Sequence, residues 1–153
     1  MSKSGWFVGL VLVAGVGVFA YQLFTTEPQS TRNPMDPPDL SGFEDGAPLV
    51  QVKLPESLSD NAQLGKRIFD AKCSVCHGEN AAGQNGVAPS FILQIYQPGH
   101  HSDMAFVGAA KNGVRGPHHW DFGSMPPVEG ITDGEVKLVA NYIRELQRAN
   151  GIN

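Results

Sequence analysis

Apolar residues are distributed along this chain in three ways: an unbroken run near the start, a sparse stretch after it, and helical periodicity in the remainder. The run is residues 6–24, WFVGLVLVAGVGVFAYQLF, apolar except for Gln22. Nineteen residues wound as an α-helix rise about 28 Å, close to the hydrocarbon thickness of a bilayer, so this run predicts a single transmembrane anchor. A cleaved signal peptide competes with that reading, because Val18-Phe19-Ala20 offers small residues to a peptidase and Lys3 a weak positive flank. Tyr21, Leu23 and Phe24 continue the apolar run past that point and favour the anchor. Either fate sends the rest of the chain across a membrane. Lys3, with no basic residue close behind the span, predicts the N-terminus inside and the bulk of the chain outside. That is a single-pass cell-membrane protein with its folded part on the periplasmic side.

Residues 25–55 hold six prolines, few apolar residues, and five acids (Glu27, Asp36, Asp39, Glu44, Asp45) against Arg32 and Lys53. This is the composition of an extended, solvated linker, reaching about 30 Å as a coil and further if the prolines stiffen it. Within it, LVQVKL (49–54) alternates weakly, as a segment lying against the domain would, but a structureless stretch accounts for it equally well.

From Pro55 the spacing changes. Ser59 is placed to cap a helix whose apolar positions Ala62, Leu64, Ile68, Phe69 and Ala71 lead up to the cysteines. A second strong helix begins at the capping box Thr132-Asp133-Gly134-Glu135, carries the stripe Val136, Val139, Ala140, Ile143 and Leu146, and stops near Gly151. A shorter helix is predicted over 102–112, with Met104 in its core face. No stretch predicts a sheet, and there are no internal repeats. The organisation is therefore an anchor over 1–24, a linker over 25–55, and a small all-α domain over 56–153 with long glycine- and proline-rich loops.

Composition sharpens this picture. With 18 glycines, 11 prolines and 41% apolar residues in 153, the core is modest, and domains of this size commonly rely on a metal, disulfide or cofactor. The net charge of −4, with no basic patch, excludes a nucleic-acid partner.

Both cysteines of the chain lie in AKCSVCHGEN (71–80), followed at once by a histidine. Three chemistries use such a group. A redox dithiol belongs at the start of a helix that follows a strand, whereas here the cysteines end a helix. A structural zinc would need a fourth ligand from His100-His101 or His118-His119, and the chain lacks a second paired knuckle. Covalent haem uses every part of the motif: Cys73 and Cys76 add to the two vinyl groups of the porphyrin, and His77 lies under the iron as proximal ligand.

With these residues the chain resembles the class I cytochromes c over most of 57–150. The resemblance is carried by GKRIFDAKCSVCHG (65–78), NGVAPSF (85–91), FGSMPPV (122–128) and ITDGEVKLVANYIREL (131–146), in the family's order. It implies one haem c wrapped by the all-α domain, with Gly65 and Phe69 packed on the last helix near Tyr142. It implies Met125 as the sixth iron ligand, and a Pro89 carbonyl that accepts a hydrogen bond from the second nitrogen of His77. The sequence departs from the simplest family pattern in QPGHHSDM and GPHHW, whose four histidines read better as solvated loop residues than as ligands. Trp120 either donates its indole N–H to a haem propionate or packs beside the cofactor.

The expected function is that of a membrane-tethered monohaem electron carrier, not an enzyme by itself. It would work between a quinol-oxidising complex and a terminal oxidase or reductase of a respiratory or photosynthetic chain. Two alternatives are a haem sensor whose sixth position opens to a diatomic gas, and a fixed cytochrome subunit of a larger dehydrogenase or oxidase.

Overall fold

Helix α1 (Asp60–Lys72) and helix α4 (Asp133–Ala149) cross with backbone against backbone, and the rest of the domain is arranged around that crossing. The coordinates are a computed structural model that describes residues 15, 33, 35–116 and 122–153. Of the anchor expected over 6–24 only residue 15 is described, and His118, His119 and Trp120 lie outside the described residues. Among the described residues no helix is long and apolar enough to cross a membrane.

Helix α1 starts where Ser59 Oγ accepts the Ala62 N–H at 3.3 Å, and that cap is itself fastened to α4, Ser59 Oγ donating to Glu145 Oε1 at 2.6 Å. Its buried face is Ala62, Gly65 and Phe69. A Cβ at Gly65 would overlap the Leu138 carbonyl of α4, so the absence of a side chain is what lets the helices meet. Leu64 and Ala71, expected in the buried stripe, are exposed. Leu64 lies about 100° from Gly65 and Ala71 about 160° from Phe69, off the face that the close crossing buries.

Helix α4 is fixed at both ends. Thr132 Oγ1 accepts the Glu135 N–H at 3.2 Å while the Thr132 N–H donates to Glu135 Oε2 at 2.8 Å, and these bonds hold the Glu135 carboxyl below its ordinary range. At the other end Gly151 takes φ +78°, and the Ile152 N–H returns to the Gln147 carbonyl at 2.9 Å. The whole predicted stripe is buried, joined by Tyr142, Arg144 and Gln147.

Arg144 is the centre of a network that polar–apolar periodicity does not reveal. Its guanidinium donates to Asp103 Oδ1 (2.9 Å), the Tyr96 carbonyl (2.8 Å), Gln147 Oε1 (2.6 Å) and the His101 carbonyl. Gln147 Nε2 donates to the carbonyls of Phe91 and Tyr96. The loop 91–101 has only one 3-10 turn, Gln94–Tyr96, so α4 satisfies carbonyls that the loop cannot pair internally.

Helix α2 (Ser74–His77) is a single turn, and helix α3 (Asp103–Asn112) packs Phe106, Val107 and Ala110 inward. Met104, expected in the core, is 58% exposed because it precedes that face. Among the described residues no strand occurs, only isolated bridges at Gln84–Ala88 and Val114–Met125.

Part of the stretch read as linker lies along the domain. The Leu49 N–H donates to the Ala82 carbonyl (3.1 Å), and Gly46 and Ala47 exchange backbone bonds with Asn85. Asn85 Nδ2 also donates to the Phe43 carbonyl, and Asn150 brackets Lys53 with two bonds of 2.9 and 2.8 Å. Leu49 is buried in a small cluster with Phe122, flanked by Leu40, Val50 and Leu93. The strap is held mainly through its backbone, which proline- and acid-rich composition does not report.

Candidate functional site

Cys73 is the last residue associated with α1, and the chain then makes the one turn of α2. The Cys73 carbonyl accepts the N–H groups of Cys76 (3.1 Å) and His77 (2.9 Å), so the two thiols, three residues apart, fall on one side of a helical turn with His77 beside them. Gly78 at φ +73° ends the turn; a Cβ there would lie 2.6 Å from the Gly83 carbonyl oxygen. Burial, with Cys76 close by, pushes the Cys73 thiol up to about 11. A redox dithiol needs the opposite shift.

His77 is buried, 7% exposed. Its Nδ1 lies 3.0 Å from the Pro89 carbonyl, and since a carbonyl only accepts, Nδ1 carries the proton and Nε2 keeps the lone pair. Burial lowers the His77 pKa, with the Pro89 bond acting in the opposite sense, so the ring is neutral at pH 7, as a metal ligand must be. The Pro89 segment is in turn braced by the fully buried Ser90, whose Oγ donates to the Ala81 carbonyl and accepts the Ile92 N–H, both at 2.9 Å. Phe91 stacks on the His77 ring at 4.2 Å and presents its edges to Tyr96 and Phe106.

Met125 is placed by its backbone. Its N–H donates to the Val114 carbonyl (3.0 Å) and its carbonyl accepts the Val114 N–H (2.9 Å). Gly113, at φ +71°, permits this: a Cβ there would sit 2.5 Å from the Met125 carbonyl oxygen.

Cys73, Cys76, His77 and Met125 all line one cavity of about 750 Å³, whose remaining walls are largely apolar. That volume is in the range of roughly 300–1,000 Å³ typical of cofactor sites. Two thiols, a neutral imidazole and a thioether around an apolar space suit a covalently held iron macrocycle: sulfur and imidazole ligands for the metal, apolar contact for the ring. Among the described residues no three His, Cys, Asp or Glu side chains converge as a metal site of their own. A shallower polar depression of about 410 Å³, beside residues 78–84, contains neither His77 nor Met125.

Of the loop histidines, His101 lines the cavity, with its Nδ1 donating to the Ile95 carbonyl at 2.8 Å, while His100 does not. Phe91, Tyr96, Phe106 and Phe122 also line it and were not singled out from the sequence as site residues. For Phe91 a signal existed, because it closes the NGVAPSF motif two residues after Pro89.

The family model described as Cytochrome c matches residues 62–147. A curated protein named thiosulfate dehydrogenase, from Psychrobacter arcticus, is 31% identical over 114 residues, covering 72% of this chain and 31% of that protein. The chain thus spans about a third of the length of that relative. No solved structure matches the chain.

Proposed function

The chain belongs to the cytochrome c family, whose cofactor is covalently bound haem c, and we propose that it is a single-electron carrier tethered to the cell membrane with its domain in the periplasm. In this reading Cys73 and Cys76 form the two thioethers, His77 is the proximal ligand, and Met125 the distal one. When bound, the haem supplies an iron that gains and loses one electron. The protein's part is to keep both ligands still and water out. The Pro89 carbonyl fixes the tautomer and plane of His77, the Val114 bridge fixes the backbone of Met125, and Phe91, Phe106 and Phe122 line the apolar walls. A site whose ligands are both held by backbone hydrogen bonds needs little rearrangement between oxidation states, which favours a carrier over a gas sensor. The observation that carries this reading is the convergence of Cys73, Cys76, His77 and Met125 on one cavity.

The anchor over 1–24 and a quinol-oxidising complex and terminal oxidase or reductase as partners complete the proposal. Tethering would raise the domain's effective concentration at both partners. Carbonate-washed membranes, run on a denaturing gel and stained for haem, test attachment and anchoring together. A haem-positive band near 16.4 kDa in the pellet is the expected result. Haem released by denaturation would overturn the thioethers, and a stained band only in the wash would overturn the anchor.

The match to a thiosulfate dehydrogenase favours a second reading, in which the electrons carried derive from thiosulfate. Purified oxidised holoprotein mixed with thiosulfate alone should stay oxidised if the chain is only a carrier. Direct reduction of the haem would make it part of the oxidising enzyme.

A further inference from the structure

Among the described residues, two of the contacts that hold the loop delivering Met125 flank Gly123 and Ser124. One is the Val114 bridge on its C-terminal side. The other is Phe122, buried three residues before Met125, which lines the cavity and packs with Leu49. Between them, across Gly123 and Ser124, Ser124 Oγ accepts the Gly116 N–H at a long 3.4 Å. Leu49 belongs to the strap, some seventy residues earlier in the chain, and the strap is fastened independently of Met125 through Ala82, Asn85 and Asn150. Leu40, on the same strap, packs against the Leu49–Phe122 pair, as do Val50 and Leu93.

We infer that Leu49, supported by Leu40, is a positioning residue for the sixth iron ligand: the strap wedges Phe122, and Phe122 keeps the Met125 sulfur against the iron. This rests on the reading of Met125 as that ligand. Removing the wedge leaves a void beside Phe122, into which the ring relaxes, and the loop, still tied by the Val114 bridge, the Gly116–Ser124 bond and the Val128–Ala110 backbone bond, loses support on the N-terminal side of Met125. The iron should become easier for an outside ligand to reach while the helices stay folded.

The test is titration of ferric holoprotein with imidazole, following the weak red-end absorption of a methionine-ligated haem. In Leu49→Ala imidazole should displace the ligand at about tenfold lower concentration, a part of the roughly 30-fold or more that truncating a buried leucine corresponds to. Leu40→Ala should shift in the same direction by less, and Leu49→Ile should restore wild-type affinity. Ile152→Ala, in the main core, should lower the unfolding midpoint without changing imidazole affinity; that contrast separates positioning from general destabilisation. An unchanged affinity in Leu49→Ala, or an equal shift in Ile152→Ala, overturns the inference. If Leu49→Ala does not fold, Leu40→Ala decides, and an unchanged affinity there overturns it. Met125→Ala separates the two claims. If it keeps the red-end band, the ligand reading fails; if it loses the band while both leucine variants bind imidazole like wild type, the ligand reading stands and the strap has no part in it.

Discussion

Gly65→Ala unfolds the holoprotein at a markedly lower guanidinium concentration, although alanine is the better helix former. The substitution gains about 1 kcal/mol of helix propensity. Against that, the new Cβ overlaps the Leu138 carbonyl, which is backbone and cannot swing aside as a side chain would. The helices must separate along the crossing that buries Phe69, Tyr142 and Ile143, and forced overpacking of this kind costs about 3 kcal/mol or more. The clash wins, with a net loss of about 2–3 kcal/mol and a fall in Tm on the order of 10 °C or more for a domain of this size. Gly134→Ala is the control: its Cβ would meet Thr132 Oγ1 at an ordinary 3.9 Å, so it should be neutral or stabilising by up to about 1 kcal/mol. If the two variants unfold together, the Gly65 contact is not the closest point of the fold.

On the proposed reading of Met125 as the distal ligand, Met125→Ala should have the largest effect on function. The bridge between Val114 and residue 125 uses only backbone atoms and survives truncation, so the loop stays in place and the variant removes the sulfur alone. The ferric protein should lose its red-end band, and the ferrous protein should bind carbon monoxide readily. A thioether favours the reduced iron, so the midpoint potential should fall on the order of 100–200 mV, or two to three factors of ten in relative stabilisation at about 59 mV each. A variant with an unchanged band and potential would show that another group holds the sixth position, and His101, in the wall of the same cavity, would be the first to replace.

What could be read from the chain in advance was local. The cap of α1, the capping box and stripe of α4, and the C-S-V-C-H turn are each written within a few residues, and hydrogen bonds of the same short range build them. Periodicity alone places Leu64 on the buried face of α1, where it is exposed, because the centre of that face is Gly65, which contributes nothing to an apolar pattern; the contact of Gly65 and Phe69 with the last helix that the resemblance implies is present. Arg144 and Gln147 were invisible for the reverse reason, since polar residues read as surface and their partners are the carbonyls of a distant loop. At the site, Pro89 and Met125 come from resemblance and not from spacing; Phe122 opens the FGSMPPV motif, but its packing against Leu49, a residue that composition places in a linker, has no local signal.

The crossing at Gly65 also orders events during synthesis. The residue that receives it, Leu138, follows Cys76 by about sixty positions, and at about 5–20 residues per second the ribosome takes roughly 3–12 s to produce them. Until then α1 has no partner for its buried face, and an isolated helix of thirteen residues is marginal in water. The first half of the domain therefore waits as an open chain, with both thiols accessible, and closes only when its last helix has been made.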